Sequence, residues 1–265
     1  MGRIENQVVL ASSQSTRSKL TEVMFPGHQA SEMDGGDEAH THHLGAVAQQ
    51  KTNHAMRLLN REAARFGHHV NSESGLLLQA ILHGHSLVVG ADTNNALGLK
   101  TAEHLLKPED VQSLHQILID MGTKGYYLVR SGTAIVNGIA RVGTAQVLVE
   151  LNDTGRKALL SPAGRELYMA KMAEMFGKDF FKKVSGGIAF EVFMALGWMQ
   201  KINGVELTEA GSDEAVKMLA VIARSGFVAE VIAQYSPEAA YRLHHNPIID
   251  EIVDEARYNQ EQNPQ

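Results

Sequence analysis

The chain has 265 residues, 44% of them hydrophobic and 20% charged, with a formal net charge of −6. That length and balance fit a globular α/β protein of one large or two small domains, with no wholesale attraction for a nucleic-acid backbone. The absence of cysteine excludes disulfides, thiolate zinc sites and a cysteine nucleophile.

Val8-Val9-Leu10-Ala11 reads as a first strand, followed by the hydroxyl-rich run Ser12 to Arg17. Leu20, Val23 and Met24 fall at helical spacing and predict a helix from about Ser15 to Met24, stopped by Pro26-Gly27. His28 to His43 is polar and reads as a loop. A long helix is predicted from Leu44 to Phe66, because Leu44, Val47, Ala48, Ala55, Leu58, Leu59, Ala63 and Phe66 step by three and four. Ser86 to Ala91 reads as a second strand running into Asp92-Thr93. Pro108 opens a helix with Val111, Leu114, Ile117 and Leu118 as its core face, closed by Gly122 and Gly125. Tyr126 to Arg130 and Ala134 to Asn137 read as two strands around Ser131-Gly132, and Arg141 to Leu151 as another. After Asn152 the chain reads as helical, most clearly over Arg165 to Phe176 and Asp213 to Ala223, with Gly186-Gly187 interrupting. Ile188 to Met199 is apolar but too short to span a bilayer, and it contains Glu191. No basic-then-apolar leader opens the chain, so a cytoplasmic location without membrane contact is expected.

Four places carry candidate chemistry. Ser12 to Arg17 follows the carboxyl end of a strand, where open α/β sheets bind ligands. A helix beginning there exposes about four unpaired N–H groups, and phosphate binds such ends readily; plain N-capping by Ser13 or Ser15 accounts for the same residues. Asp92 follows an apolar strand, where a carboxylate can hold Mg²⁺, orient water or cap the next turn. Lys51 lies on the apolar stripe of the long helix. A bare ammonium taken out of water costs several kcal/mol, so it either meets an anionic partner or snorkels along the stripe's edge. Lys107, before Pro108, is a cation near a helix start or a solvated loop lysine. Asp34, Asp37 and Glu38 can complete a metal site with Asp92, or can be a merely solvated loop. His40, His42 and His43 invite a zinc reading, but their spacing suits a strand better than a loop and no HExxH occurs. Gly98-Leu99-Lys100-Thr101 lacks the glycine spacing of a phosphate loop.

Leu10-Ala11-Ser12-Ser13-Gln14-Ser15-Thr16-Arg17-Ser18-Lys19-Leu20 resembles the opening LASxSPRRxxL of the Maf family of nucleotide pyrophosphatases. Val47-Ala48-Gln49-Gln50-Lys51 is similar to that family's LAxxKA helix, Val88-Val89-Gly90-Ala91-Asp92-Thr93 to its IxGADT strand, and Leu106-Lys107-Pro108 to its LGKP segment. The resemblance implies a twisted mixed β-sheet flanked by helices, in the two-lobed arrangement of the inosine-triphosphate pyrophosphatases. On it, residues 1–200 would form the nucleotide-binding domain and residues 201–265 a helical portion packed on it. It further implies hydrolysis of a non-standard or pyrimidine nucleoside triphosphate between its α and β phosphates, with Mg²⁺ or another divalent metal, in a homodimer. Carried onto this chain, Ser12, Gln14 and Arg17 would bind substrate and Lys51 and Lys107 would neutralise the triphosphate. Asp92 would position metal or activate water, with Asp34 or Glu38 sharing the metal. The chain departs from the pattern at Gln14, Ser15 and Thr16, where the family has serine, proline and a first arginine. Phe190-Glu191 stand near the place of the family's IQG glutamine, and His68 to His85 lengthens the loop after Phe66. These departures keep a second reading open, a nucleotide-binding or protein-interaction member of the fold without hydrolysis.

Overall fold

The structure is a computed structural model that describes residues 6–11, 24–25, 27–36, 43–65, 72–98, 105, 108–178, 180–184 and 187–207. Its first strand, β1 (Gln7–Ala11), is buried throughout Val8 to Ala11. A strand covered on both faces is a continuous apolar run rather than an alternating one, as in parallel sheets. Both neighbours of β1 are indeed parallel to it: β2 (Gln29–Glu32), with Val8 opposite Ala30, and β3 (Leu87–Ala96), with Val8 opposite Leu87. Two helices that pack on each other, α1 (Leu44–Arg65) and α2 (Glu73–Leu82), separate β2 from β3 in the chain. Ala55 and Leu59 of α1, Leu77 and Ile81 of α2, Val9 and Ala11 of β1 and Val88 of β3 form one apolar cluster. Each of its valine, leucine and isoleucine side chains taken out of water contributes about 2 kcal/mol.

The chain continues through α3 (Val111–Lys124), β4 (Tyr126–Asn137), β5 (Ile139–Leu151), α4 (Asp153–Leu160) and α5 (Pro162–Phe176). The short helices α6 (Phe180–Lys183) and α7 (Phe190–Ala195) and the strands β6 (Met199–Ile202) and β7 (Val205–Glu206) follow. The strands hydrogen-bond in the order β2-β1-β3-β4-β5-β6-β7. Because β6 is antiparallel to both β5 and β7, the sheet is mixed, and with its helices the fold is α/β. No helix among the described residues is long and apolar enough to cross a membrane.

The described residues fall into two compact units. One takes the described residues up to Asp92 together with those of Ser131–Ala145; the other takes those of Thr93–Arg130 and those from Gln146 to Leu207. The first is built on the Val9 cluster. The second is built on aromatic rings: Phe193 lies 5.4 Å from Tyr127, 5.0 Å from Tyr168 and 6.3 Å from Trp198, centroid to centroid, and all four residues are fully buried.

The structure corrects several sequence expectations. The stretch from His28 to His43, expected as a loop, holds β2, whose side chains are mostly exposed; an edge strand is carried by main-chain pairing and needs no apolar pattern. The segment from His68 to His85, expected as extra loop, holds α2, capped by Ser72, whose hydroxyl accepts from Gly75 N at 3.1 Å. The strand expected to end at Ala91 runs on to Ala96, so Asp92 lies inside β3 rather than beyond it. The two strands expected around Ser131-Gly132 are the single strand β4. The helix expected to open at Pro108 begins at Val111, because Asp110 and Ser113 form a capping box there; Gly125 then closes it in the left-handed conformation. A hairpin, β6 and β7, stands in the region expected to be helical. Its turn residues Asn203 and Gly204 have φ of 50° and 78°, the two positive values a type I′ turn requires. The predicted helix before Pro26 is described only at Met24. The predicted helix Asp213 to Ala223 and everything from residue 208 onward lie outside the described residues.

Candidate functional site

The site is built where α1 crosses β3. Gly90 allows the crossing: a Cβ there would run into the carbonyl of Ala48 and stand 3.0 Å from Thr52 Cγ2. A second glycine, Gly132 of β4, makes the same kind of room, since a Cβ on it would run into the backbone of Leu44 and Gly45. With no side chain between them, the backbone of α1 rests directly on the strands. Lys51, one turn beyond Val47 on the buried stripe, is thereby brought down onto the residues that follow Gly90.

Its ammonium does find an anionic partner. Lys51 Nζ donates to Asp92 Oδ1 at 2.8 Å and to the carbonyl of Ala91 at 3.3 Å. The two side chains are 10% and 18% exposed, so the pair is largely withdrawn from water while the carboxylate keeps an open side. At this burial a charge-assisted hydrogen bond is worth more than on the surface, and either charge left alone would be costly. The strand around Asp92 is held too: Ser131 Oγ donates to the Asp92 carbonyl at 3.3 Å.

A third element closes on Lys51. Met33 N donates to Leu10 O at 2.9 Å, so the chain leaving β2 stays beside the end of β1. Gly35 then lies against both neighbours. A Cβ on it would fall 2.9 Å from the carbonyl oxygen of Ala11 and 3.2 Å from Lys51 Cγ. Asp34, immediately before it, is 77% exposed, and its Oδ1 accepts from Gly36 N at 2.9 Å. The end of β1, the Asp34–Gly36 loop, Lys51 and Asp92 therefore belong to one locality within one unit of the protein.

Of the residues singled out from the sequence, Lys51 and Asp92 are brought together, and Asp34 lies on the loop that packs against Lys51. Ser12, Gln14, Arg17, Lys107 and Glu38 lie outside the described residues, as do Asp37, His40 and His42. Ser12 is the residue that follows β1, whose last carbonyl touches Gly35. Among the described residues no three His, Asp or Glu side chains gather as a metal-holding group. Mg²⁺ takes one or two carboxylates and completes its shell with water and phosphate oxygens. Asp92 and Asp34 are the carboxylates that would hold it.

His54 escaped the sequence reading. It lies on α1 one turn after Lys51, and its only sequence signal is that position on the same helix face. No family model matches this chain, and no curated protein matches it.

Proposed function

We propose that the protein is a nucleoside triphosphate pyrophosphatase of the Maf-like, two-lobed kind, cleaving a non-standard or pyrimidine nucleotide to its monophosphate and pyrophosphate. The observation that carries this reading is the Lys51–Asp92 pair, a largely buried ammonium and carboxylate at 2.8 Å beside the end of β1. Buried charges that a fold could replace with apolar side chains are retained where they have chemical work, although ion-pair networks of purely structural value also exist.

In this reading Lys51 engages Oδ1 of Asp92 and fixes the carboxylate's direction, leaving Oδ2 to accept a hydrogen bond from the attacking water. Water attacks phosphorus in line and passes its proton to Asp92 Oδ2, the bond to the bridging oxygen breaks, and pyrophosphate departs with the electron pair. The ammonium of Lys51 would face the negative charge growing on the phosphate oxygens, which is how a preorganised cation lowers such a barrier. Asp92 and Asp34 would hold a divalent cation, which would supply further neutralisation of phosphate charge. Ser12 and Arg17, the residues leaving β1, would grip the phosphates, and Lys107 would add a further cation.

The test is incubation of the purified protein with Mg²⁺ and a panel of standard and non-standard nucleoside triphosphates, following pyrophosphate. Release from at least one nucleotide is the expected result. Saturable nucleotide binding with no release from any of them would favour the second reading, a non-hydrolysing member of the fold, for which Thr16 in place of the family's arginine already speaks.

A further inference from the structure

Two side chains of α1, not one, carry the loop after β2. Gly35 lies on the stem of Lys51, and Gly36 lies flat on the ring of His54. A Cβ on Gly36 would come within 2.7 Å of His54 Nδ1 and 2.8 Å of Cγ. Gly36 has φ +73°, which glycine adopts without strain and other residues do not. The loop is thus laid along one face of α1, with Asp34 leading into it.

His54 also faces the Asp34 carboxylate. Asp34 Oδ1 is taken by Gly36 N, and Asp34 Oδ2 stands 3.9 Å from His54 Nε2. That separation is within ion-pair reach of an imidazolium and too long for a direct hydrogen bond, the span that one water bridges. The histidine is about two-thirds buried, its side chain 32% exposed, whereas the aspartate side chain is 77% exposed. An aspartate so open to water has little packing to give it a direction. Removing a group that holds a ligating side chain from behind typically weakens metal binding by roughly 10- to 100-fold.

We propose that His54 is a positioning residue. It holds the Asp34–Gly36 loop and the Asp34 carboxylate at the Lys51 end of the site, where Asp34 shares a divalent cation with Asp92. This rests on the reading above, in which Asp34 is a cation ligand.

The test is Mn²⁺ binding to the intact chain without nucleotide, read as the loss of the free-ion electron paramagnetic resonance signal. Wild type is compared with Asp34→Asn, His54→Phe, His54→Leu and His54→Gln. Phenylalanine keeps a flat ring beneath Gly36 but has no nitrogen; leucine removes both ring and nitrogens; glutamine keeps a donor for the carboxylate. The expected result is Mn²⁺ binding weakened about tenfold in His54→Phe and His54→Leu and kept within roughly threefold of wild type in His54→Gln. Two apolar variants keep the result from resting on the folding of either one. Wild-type affinity in both of them, with Asp34→Asn weakened, would overturn the role of His54. So would a glutamine variant as weak as the apolar ones. Wild-type affinity in Asp34→Asn is a separate failure, which would remove Asp34 from the cation site itself.

Discussion

Lys51 and Asp92 hold each other in a place largely withdrawn from water. Lys51→Met keeps the helical stripe apolar and strands the carboxylate, so urea unfolding should report a loss of about 3 kcal/mol. A loss below about 0.5 kcal/mol, the scale of an exposed pair, would contradict the burial argument. The aromatic unit offers a second contrast at the same scale. Tyr168 OH donates to the Gly187 carbonyl and accepts from Ala189 N, both at 3.2 Å, whereas Tyr127 OH has no hydrogen-bond partner among the described residues. Tyr127→Phe should therefore be neutral or stabilising at pH 7, and Tyr168→Phe should cost about 1 kcal/mol. Burial, reinforced by the buried carboxylate of Glu191, pushes both phenols well above their ordinary value near 10. Such a group binds its proton more tightly folded than unfolded, so its stabilisation is complete below pH 10 and falls as pH climbs past it. Urea midpoints measured from pH 8 to 11 should drop above pH 10, and less steeply in the double phenylalanine variant. An equal drop in both proteins would contradict this account.

At the scale of elements, the glycines decide where the helix sits. Gly90→Ala forces α1 away from β3 and should destabilise by about 2 kcal/mol, the usual penalty of overpacking a close contact. It should also impair the site, because Lys51 rides on that helix; wild-type stability would show that the crossing is not tight. The helix itself was legible beforehand: apolar residues at every third and fourth position announced α1, and Lys51 on that stripe announced an inward ammonium. The strand ends were not. Asp92-Thr93-Asn94-Asn95 and Ser131-Gly132 have turn-like composition, but main-chain ladders carry β3 and β4 straight through them. β2 was invisible because Gln-Ala-Ser-Glu has no apolar alternation, and its pairing with β1 is a tertiary event. The β6–β7 hairpin is legible in Asn203-Gly204, a favoured pair for a type I′ turn. His54 could not be read from sequence spacing, since its partners Gly36 and Asp34 reach it only when the loop folds onto α1.

For the molecule as a whole, the described parts of the site lie within one compact unit, although β3, β4 and β5 each contribute residues to both. The net charge of −6 gives no general attraction for a triphosphate, so in the proposed function affinity for one would come from local cations such as Lys51. The central claim is that this locality cleaves a nucleotide between its α and β phosphates. Its most direct test is ³¹P analysis of products formed with Mg²⁺ by wild type and by Asp92→Asn, after circular dichroism has matched their folds. The account predicts monophosphate and pyrophosphate from the wild type and a loss of both in the variant. Diphosphate with inorganic phosphate, or equal turnover by Asp92→Asn, would contradict it.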